Sequence, residues 1–536
     1  MELTVEEAVQ AAENSMTSVL KSAHRSGPVL LCISEISYAF PFGVAYIAGY
    51  LRQRGEDVQI LFWPQSPSEF PAFAQKITEL KPLLVGFGSL FPDLYPIARI
   101  VHELDLANRD FPVIIGGQMV SPTPRMAVDV TGADIGVIGE AEIIVHELVL
   151  ALREGRNPDG VRGLCIRDGQ QFQLTGDGEY IRDLSDLPPL PYDLFPIHRH
   201  LQIGRFYTTT NQQPHWRHKD RIISIHGGRG CPYRCNFCYH HSKSRYRKVS
   251  EIAVEVEELT ARFDANMVVF GDDLVLVSPT RARQLTEAMR SIKRPLEYRV
   301  SCRFDSLDRL DDDLLYEMKR TGCRVMALGA ESGSQRILDV MNKKVTLEQI
   351  HRGLSRLKQV GILATCGLMV GQVTETVEDV EASRRLVEES VRRDRNALFN
   401  AVTIATPYPG SEMFDYCIKK GLIEDEYDFF RRAEAGSYGK LTVNASAMDD
   451  ETLLRMQKVL FDANNRVRKE QTGRLVWKVE TLRAVLGNKD NAYRKAQEEG
   501  EAVRPPCGLS APVYDHLYSA TQNSLDWVRL RLYGVR

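Results

Sequence analysis

Two series of short, β-branched apolar runs alternate with amphipathic stretches, and this pattern restricts the chain to parallel α/β architecture. In the first series, PVLLCIS (28–34), VQILFWP (58–64), LLVGFGS (83–89), PVIIGGQ (112–118) and DIGVIGE (134–140) predict five strands. Helices are predicted over 42–55, 69–80, 94–107 and 141–154. Such alternation implies a doubly wound parallel sheet, which binds ligands at the carboxyl ends of its strands. Small residues stand at those ends: Ser34, Gly86 to Ser89, and Gly116 with Gly117. They permit close backbone approach to a large ligand. The second series predicts strands at 222–227, 267–272, 296–302, 324–329, 362–370 and 398–406, with helices such as 250–263, 279–292 and 375–389. Six units predict a partial (β/α)6 barrel with its chemistry at the strand carboxyl ends.

A length of 536 residues requires two or three domains. The expected layout is a leader over 1–27, a Rossmann-like domain over 28–155, a linker over 156–220, the barrel over 221–420 and a mainly helical, charged region over 421–536. The linker carries the proline-rich DLSDLPPLPYDLFP (183–196). Its histidines, His198, His200, His215 and His218, read as surface-loop residues, because no carboxylate or cysteine completes a metal-ligand spacing. The net charge of −3 gives no electrostatic case for nucleic acid. No apolar run approaches the roughly 20 residues of a membrane span, and the first residues, MELTVEEAVQ, lack the apolar core of a secretory signal. Apart from one central group, the ten cysteines are scattered, which fits a reducing cytoplasm better than a disulfide framework.

The central group is Cys231, Cys235 and Cys238, in IISIHGGRGCPYRCNFCY (222–239) directly after the first barrel strand. The spacing is C-x3-C-x2-C with no fourth cysteine nearby. Three thiolates can hold three irons of a [4Fe–4S] cluster and leave the fourth open for a ligand, whereas an electron-transfer cluster usually takes four. A zinc site completed by His240 or His241 is the competing reading.

The segment GCPYRCNFC resembles the signature of the radical S-adenosylmethionine superfamily, and later motifs follow in the order that family uses. Phe237 stands at the aromatic position before the last cysteine, which the resemblance places near the adenine. FGDDLV (270–275) is similar to the motif that binds the methionyl ammonium, with Asp272 and Asp273 in place of the usual Gly-Glu. GAESGS (329–334) supplies Glu331, which the resemblance turns toward the ribose. GLMVGQVTET (367–376) lacks the proline and following glycine of the family's fifth-strand pattern, and ATPYPGS (405–411) resembles the sixth-strand motif near the adenine, with Thr406. Arg303 is a further expected cofactor contact. Tyr298, Arg303 and Tyr408 lie at or near strand ends, where they face substrate or pack structurally, and Cys366 beside Gly367 is a thiol near a strand end.

The domain ahead of the barrel resembles the cobalamin-binding branch of that superfamily. The matching stretches are 41–55, VGFGS (85–89), PVIIGGQMVSPTP (112–124) and GVIGEAE (136–142), so the likeness spans about residues 28–420. It implies a corrin ring across the strand ends, with Ser89, Gly116, Gly117 and Ser121 as contacts and the nucleotide tail near the last three. No D-x-H-x-x-G sequence occurs, so no histidine is expected beneath cobalt; the loop after Ser89, with Leu90 or Phe91, is the candidate for that face. The absence of G-x-G-x-x-G after the first strand argues against a dinucleotide. The implied cofactors are a [4Fe–4S] cluster, S-adenosylmethionine and cobalamin. The implied activity is methylation of an unactivated carbon, or of a phosphinate phosphorus, in a small molecule, through a 5′-deoxyadenosyl radical and methylcobalamin. A flavodoxin, ferredoxin or reductase would supply electrons. The competing activity is oxidative cyclisation or rearrangement without methyl transfer.

Overall fold

The computed structural model describes residues 26–34, 40–202, 219–240, 242–394, 397–434, 441–467 and 470. The chain forms two compact units, each discontinuous in sequence: residues 1–197, 229–247 and 406–443 in one, and 198–228, 248–405 and 444–536 in the other.

The first unit is built on a seven-stranded sheet. Its parallel strands are β1 (Val29–Ser34), β2 (Val58–Trp63), β3 (Leu84–Ser89), β4 (Val113–Gly117) and β5 (Ile135–Val137). An antiparallel hairpin of β6 (Leu164–Asp168) and β7 (Gln171–Leu174) extends it, giving the order β2-β1-β3-β4-β5-β6-β7. Residues 164–174, expected in a linker, therefore belong to the sheet. The central strands are apolar throughout because both faces are covered: Val29, Leu30 and Cys32 are wholly buried, as are Val113 and Ile115. Helix Phe42–Gln53 packs on Ala141–Glu154, while Leu94–Leu106 packs between Phe70–Glu79 and Pro124–Thr131. The helix at 124–131 was not among those predicted. The strand order reverses between β1 and β3, the switch point at which doubly wound sheets bind ligands.

The second unit contains β8 (Ile222–Ile225), β11 (Met267–Phe270), β12 (Glu297–Cys302), β13 (Cys323–Glu331), β14 (Leu363–Val370) and β15 (Ala397–Ile404). Two-residue strands β9 (Gly228–Arg229) and β10 (Arg245–Tyr246) form a separate small ribbon. The six long strands are parallel and stand in chain order, β8-β11-β12-β13-β14-β15, as a partial barrel requires. Helices connect them. Pro279–Ser291 starts at Ser278, whose side chain accepts from the Arg281 N–H at 3.2 Å, and Leu347–Val360 starts with a Thr346/Gln349 capping box. The helix over 450–467 supports the open edge: Gln457 donates to the Val402 carbonyl of β15 at 3.2 Å.

A buried ion cluster closes the amino-terminal end of this sheet. Arg324, 1 % exposed, donates to both oxygens of Asp220 and to Glu297. His200 is buried against Ser224 of β8 at 2.9 Å, and burial pushes its pKa down to about 4. It is thus a neutral core histidine, not a surface one. His215 and His218 lie outside the described residues.

Candidate functional site

The cysteine loop belongs to the first unit. Gly230 opens it with φ +74°, and a Cβ there would lie 2.9 Å from the Ser242 carbonyl oxygen, so the turn needs glycine. The Cys238 N–H donates to the Cys235 carbonyl at 3.1 Å, and the Met413 N–H donates to the Asn236 carbonyl at 2.9 Å. Cys235 is buried; Cys231, Cys238 and Phe237 are half-buried. None of the three is in a disulfide. Among the described residues no three His, Cys, Asp or Glu side chains gather as a single-ion site, and His241 lies outside them. Thiolates that ligate separate irons need no common focus, so a soft, three-thiol donor set suits an iron–sulfur cluster.

In the second unit the loop after β11 separates the two aspartates. Asp273 is exposed; Asp272 is buried. Asp272 Oδ2 accepts from the Gly227 N–H at 3.1 Å, and its Oδ1 is buried without a partner among the described residues. Burial raises its pKa to about 7, against the pull of that N–H and of Arg281. An orphaned carboxylate oxygen in this position is a ready acceptor for an ammonium group.

Glu331 ends β13 with φ +59°, where a bulge shifts the register. Its Oε1 accepts from Lys343 Nζ at 2.7 Å, with both side chains largely buried. Gly329 makes the space: a Cβ there would lie 2.1 Å from Glu331 Oε1 and 2.7 Å from Lys343 Nζ. Arg303, which follows β12, is spent on Asp305 at 2.8 Å and on the Lys343 carbonyl. Its guanidinium thus ties the end of β12 to the lysine segment.

The loop after β14 contains an acid that motif reading did not single out. Glu375 is fully buried, and its Oε2 accepts from the Gly371 N–H at 2.6 Å and the Gln372 N–H at 3.2 Å. Burial raises its pKa to about 7, against those bonds. Thr374 adopts φ +61°. It stands where the family pattern has glycine, so here a β-branched residue takes the left-handed conformation. The signal was present in sequence as the final Glu-Thr of GLMVGQVTET.

Four other candidates, Tyr298, Cys302, Cys323 and Cys366, are core residues. Tyr298 is wholly buried near the start of β12, with its hydroxyl on Thr321 at 3.0 Å and the Met318 carbonyl at 3.3 Å. Cys302 and Cys323 are buried, and burial raises both thiols. Cys366 is buried, and its thiol is raised by burial and by the Glu331 carboxylate. Thr406 and Tyr408, both half-buried, belong to the first unit; Tyr408 is raised by burial and hydrogen-bonds the Thr406 side chain.

At the carboxyl edge of the first sheet, Gly86 and Gly88 do not open toward a ligand. A Cβ would lie 3.0 Å from Leu31 at 86 and 2.6 Å from Val44 at 88, so these glycines admit neighbouring core side chains. Gly116 and Gly117 are different: among the described residues a Cβ at 116 would meet Val137 alone, at 3.7 Å, and Gly117 is exposed with φ +118°. The Ser121 hydroxyl accepts from the Gly139 N–H at 2.9 Å and also bonds Tyr239. Leu90 is 42 % exposed; the side chains of Ser89 and Phe91 lie outside the described residues. The small Gly116–Gly117 edge, near the switch point, suits a bulky nucleotide-bearing cofactor.

Residues 30–149 match the B12 binding domain family, and residues 225–387 match the radical SAM superfamily. An uncharacterized methyltransferase of Pyrococcus horikoshii is 26% identical over 391 residues, covering 72% of this chain and 79% of that protein. The anaerobic magnesium-protoporphyrin IX monomethyl ester cyclase of Rubrivivax gelatinosus is 27% identical over 386 residues, 70% of this chain and 65% of the cyclase. The cytidylyl-2-hydroxyethylphosphonate methyltransferase of Streptomyces wedmorensis is 24% identical over 439 residues, 73% and 80%. Among solved structures, the radical S-adenosylmethionine methyltransferase TsrM of Kitasatospora setae, with cobalamin and a [4Fe–4S] cluster bound, aligns with TM-score 0.59 and 18% identity over 74% of this chain and 78% of that one. The cobalamin-dependent S-adenosylmethionine radical enzyme OxsB aligns with TM-score 0.62 and 14% identity over 89% and 72%. Both carry the fold described above.

Proposed function

The chain belongs to the cobalamin-binding radical S-adenosylmethionine enzymes, with cluster, S-adenosylmethionine and cobalamin as cofactors, and we propose that it methylates an unactivated carbon, or a phosphinate phosphorus, of a small-molecule intermediate. When bound, these groups supply a 5′-deoxyadenosyl radical and a transferable methyl group. Cys231, Cys235 and Cys238 would hold three irons and leave one for the methionyl end of S-adenosylmethionine. Asp272 Oδ1, buried and without a partner among the described residues, would accept from its ammonium. Glu331, fixed through Oε1 by Lys343, would offer its other oxygen to the ribose. Phe237 and Thr406 would border the adenine, and Gly116 and Gly117 would admit the cobalamin nucleotide. A flavodoxin- or ferredoxin-type donor would reduce the cluster, and such chemistry would suit a reducing cytoplasm.

The observation that carries the reading is the union, in one chain, of a B12 binding domain with a three-thiol loop and an orphaned acid after the second barrel strand. The methyltransferases among its relatives favour methyl transfer; the cyclase relative favours oxidative cyclisation as the second reading. Anaerobic turnover with candidate substrates separates them by product mass. A gain of one methylene unit supports methylation. Loss of hydrogen or insertion of oxygen supports cyclisation.

A further inference from the structure

Both flanks of the cysteine loop are fastened to one edge of the first sheet. Arg229 stands just before Cys231; its Nη1 donates to Glu140 Oε2 at 2.6 Å and its Nη2 to Glu142 Oε1. The three side chains are 11, 10 and 4 % exposed. Arg245, beyond the last cysteine, donates to the other oxygen of Glu140 and to the Ile181 carbonyl. The network thus sets two guanidiniums against two carboxylates, and each charge is compensated where solvent cannot do so. Tyr239, immediately after Cys238, hydrogen-bonds Ser121. The Ser121 hydroxyl also takes the Gly139 N–H, which links the Ser121 grip to the Glu140 grip. Gly410 completes the seat, since a Cβ there would lie 2.6 Å from the Tyr239 ring and 2.8 Å from Pro122.

We propose that Glu140, Glu142 and Ser121, acting through Arg229 and Tyr239, are positioning residues of the iron–sulfur site. This rests on the reading of the three cysteines as cluster ligands. The B12 binding domain then does more than carry its own cofactor: the loops after β4 and β5 set the thiols. None of these residues touches the reacting atoms, so their removal loosens the loop without deleting a ligand. Outer-shell partners of metal ligands commonly act this way.

The test uses the full chain, reconstituted anaerobically with iron and sulfide, in wild-type, Glu142→Gln, Tyr239→Phe, Arg229→Ala and Arg229→Lys forms. Folding is checked by circular dichroism and thermal melting. Iron retention against a chelator and the electron paramagnetic resonance spectrum of the reduced cluster, with and without S-adenosylmethionine, are the readouts. Glu142→Gln and Tyr239→Phe are expected to lose iron about tenfold faster and to show a weakened spectral response to S-adenosylmethionine. Arg229→Lys is expected to recover part of what Arg229→Ala loses. Tyr239→Phe removes one hydroxyl and no charge, so it decides the matter even where the charge variants misfold. Folded variants that match wild type in iron retention and spectral response overturn the proposal. A wild-type chain that assembles no cluster overturns the ligand reading on which it rests.

Discussion

Glu331 folds back over Gly329: a Cβ at position 329 would stand 2.1 Å from the Glu331 Oε1. The same added atom would crowd Lys343 Nζ, so Gly329→Ala drives the ion pair apart while leaving the extended strand intact. Overpacking of this kind costs about 2 kcal/mol. The expected result is weaker S-adenosylmethionine binding in equilibrium dialysis and a matching drop in 5′-deoxyadenosine formation. Unchanged binding contradicts the role given to the pair.

Asp272 gives a pH dependence with a definite sign. Its carboxyl has a pKa of about 7 in the folded chain against an ordinary value of 3.8. Between those values the folded chain keeps a proton that the unfolded chain has released, so stability present at low pH is lost as pH rises through 7. Glu375 acts in the same direction, from 4.5 to about 7. Urea unfolding without S-adenosylmethionine at pH 5 and pH 8 checks this. Asp272→Asn is expected to shrink the difference between the two pH values. S-adenosylmethionine is expected to stabilise the wild-type chain more at pH 8 than at pH 6, and the variant equally at both.

Thr374 holds φ +61° with a β-branched side chain. A left-handed conformation costs a non-glycine residue about 1–2 kcal/mol. Thr374→Gly removes that cost but loses the Arg336 bond to the threonine hydroxyl, at 3.1 Å on a half-exposed arginine. The net expectation is a stabilisation of about 1 kcal/mol, read as a higher urea midpoint at unchanged slope. A lower midpoint contradicts the strain.

Much of this was legible in the sequence, for a physical reason. Parallel strands buried on both faces read as plain apolar runs, and all eleven predicted strands are found within a few residues of their expected ends. The β6–β7 hairpin escapes a reading by apolar runs, although Asp168, the last residue of β6, and Gly169, the first of the two-residue turn, form a turn signal inside the expected linker. The site was legible only as a set of motifs. Which of Asp272 and Asp273 is buried depends on the fold of the loop. The partners of Arg229 lie 89 and 87 residues away in sequence, and spacing carries no trace of such pairs. Lys343, in the unremarkable MNKK, is called to Glu331 only because a glycine two residues earlier leaves room.

The cysteines divide by their surroundings. Replacing Cys231, Cys235 or Cys238 by alanine is expected to abolish cluster assembly, measured as iron and sulfide per chain after reconstitution. Cys366 packs as a small buried hydrophobe. Cys366→Ala is expected to keep the cluster and lose about 1 kcal/mol of stability. Loss of iron in that variant contradicts the division.

The most direct test of the central claim follows a labelled methyl group. The full chain is reconstituted anaerobically with iron, sulfide and hydroxocobalamin, reduced, and incubated with S-adenosylmethionine carrying a deuterated methyl. The corrinoid is then extracted in the dark and weighed by mass spectrometry. The account predicts a corrinoid bearing the deuterated methyl group. A chain that binds cobalamin, holds its cluster and cleaves S-adenosylmethionine to 5′-deoxyadenosine, yet leaves the corrinoid unlabelled, contradicts methyl transfer.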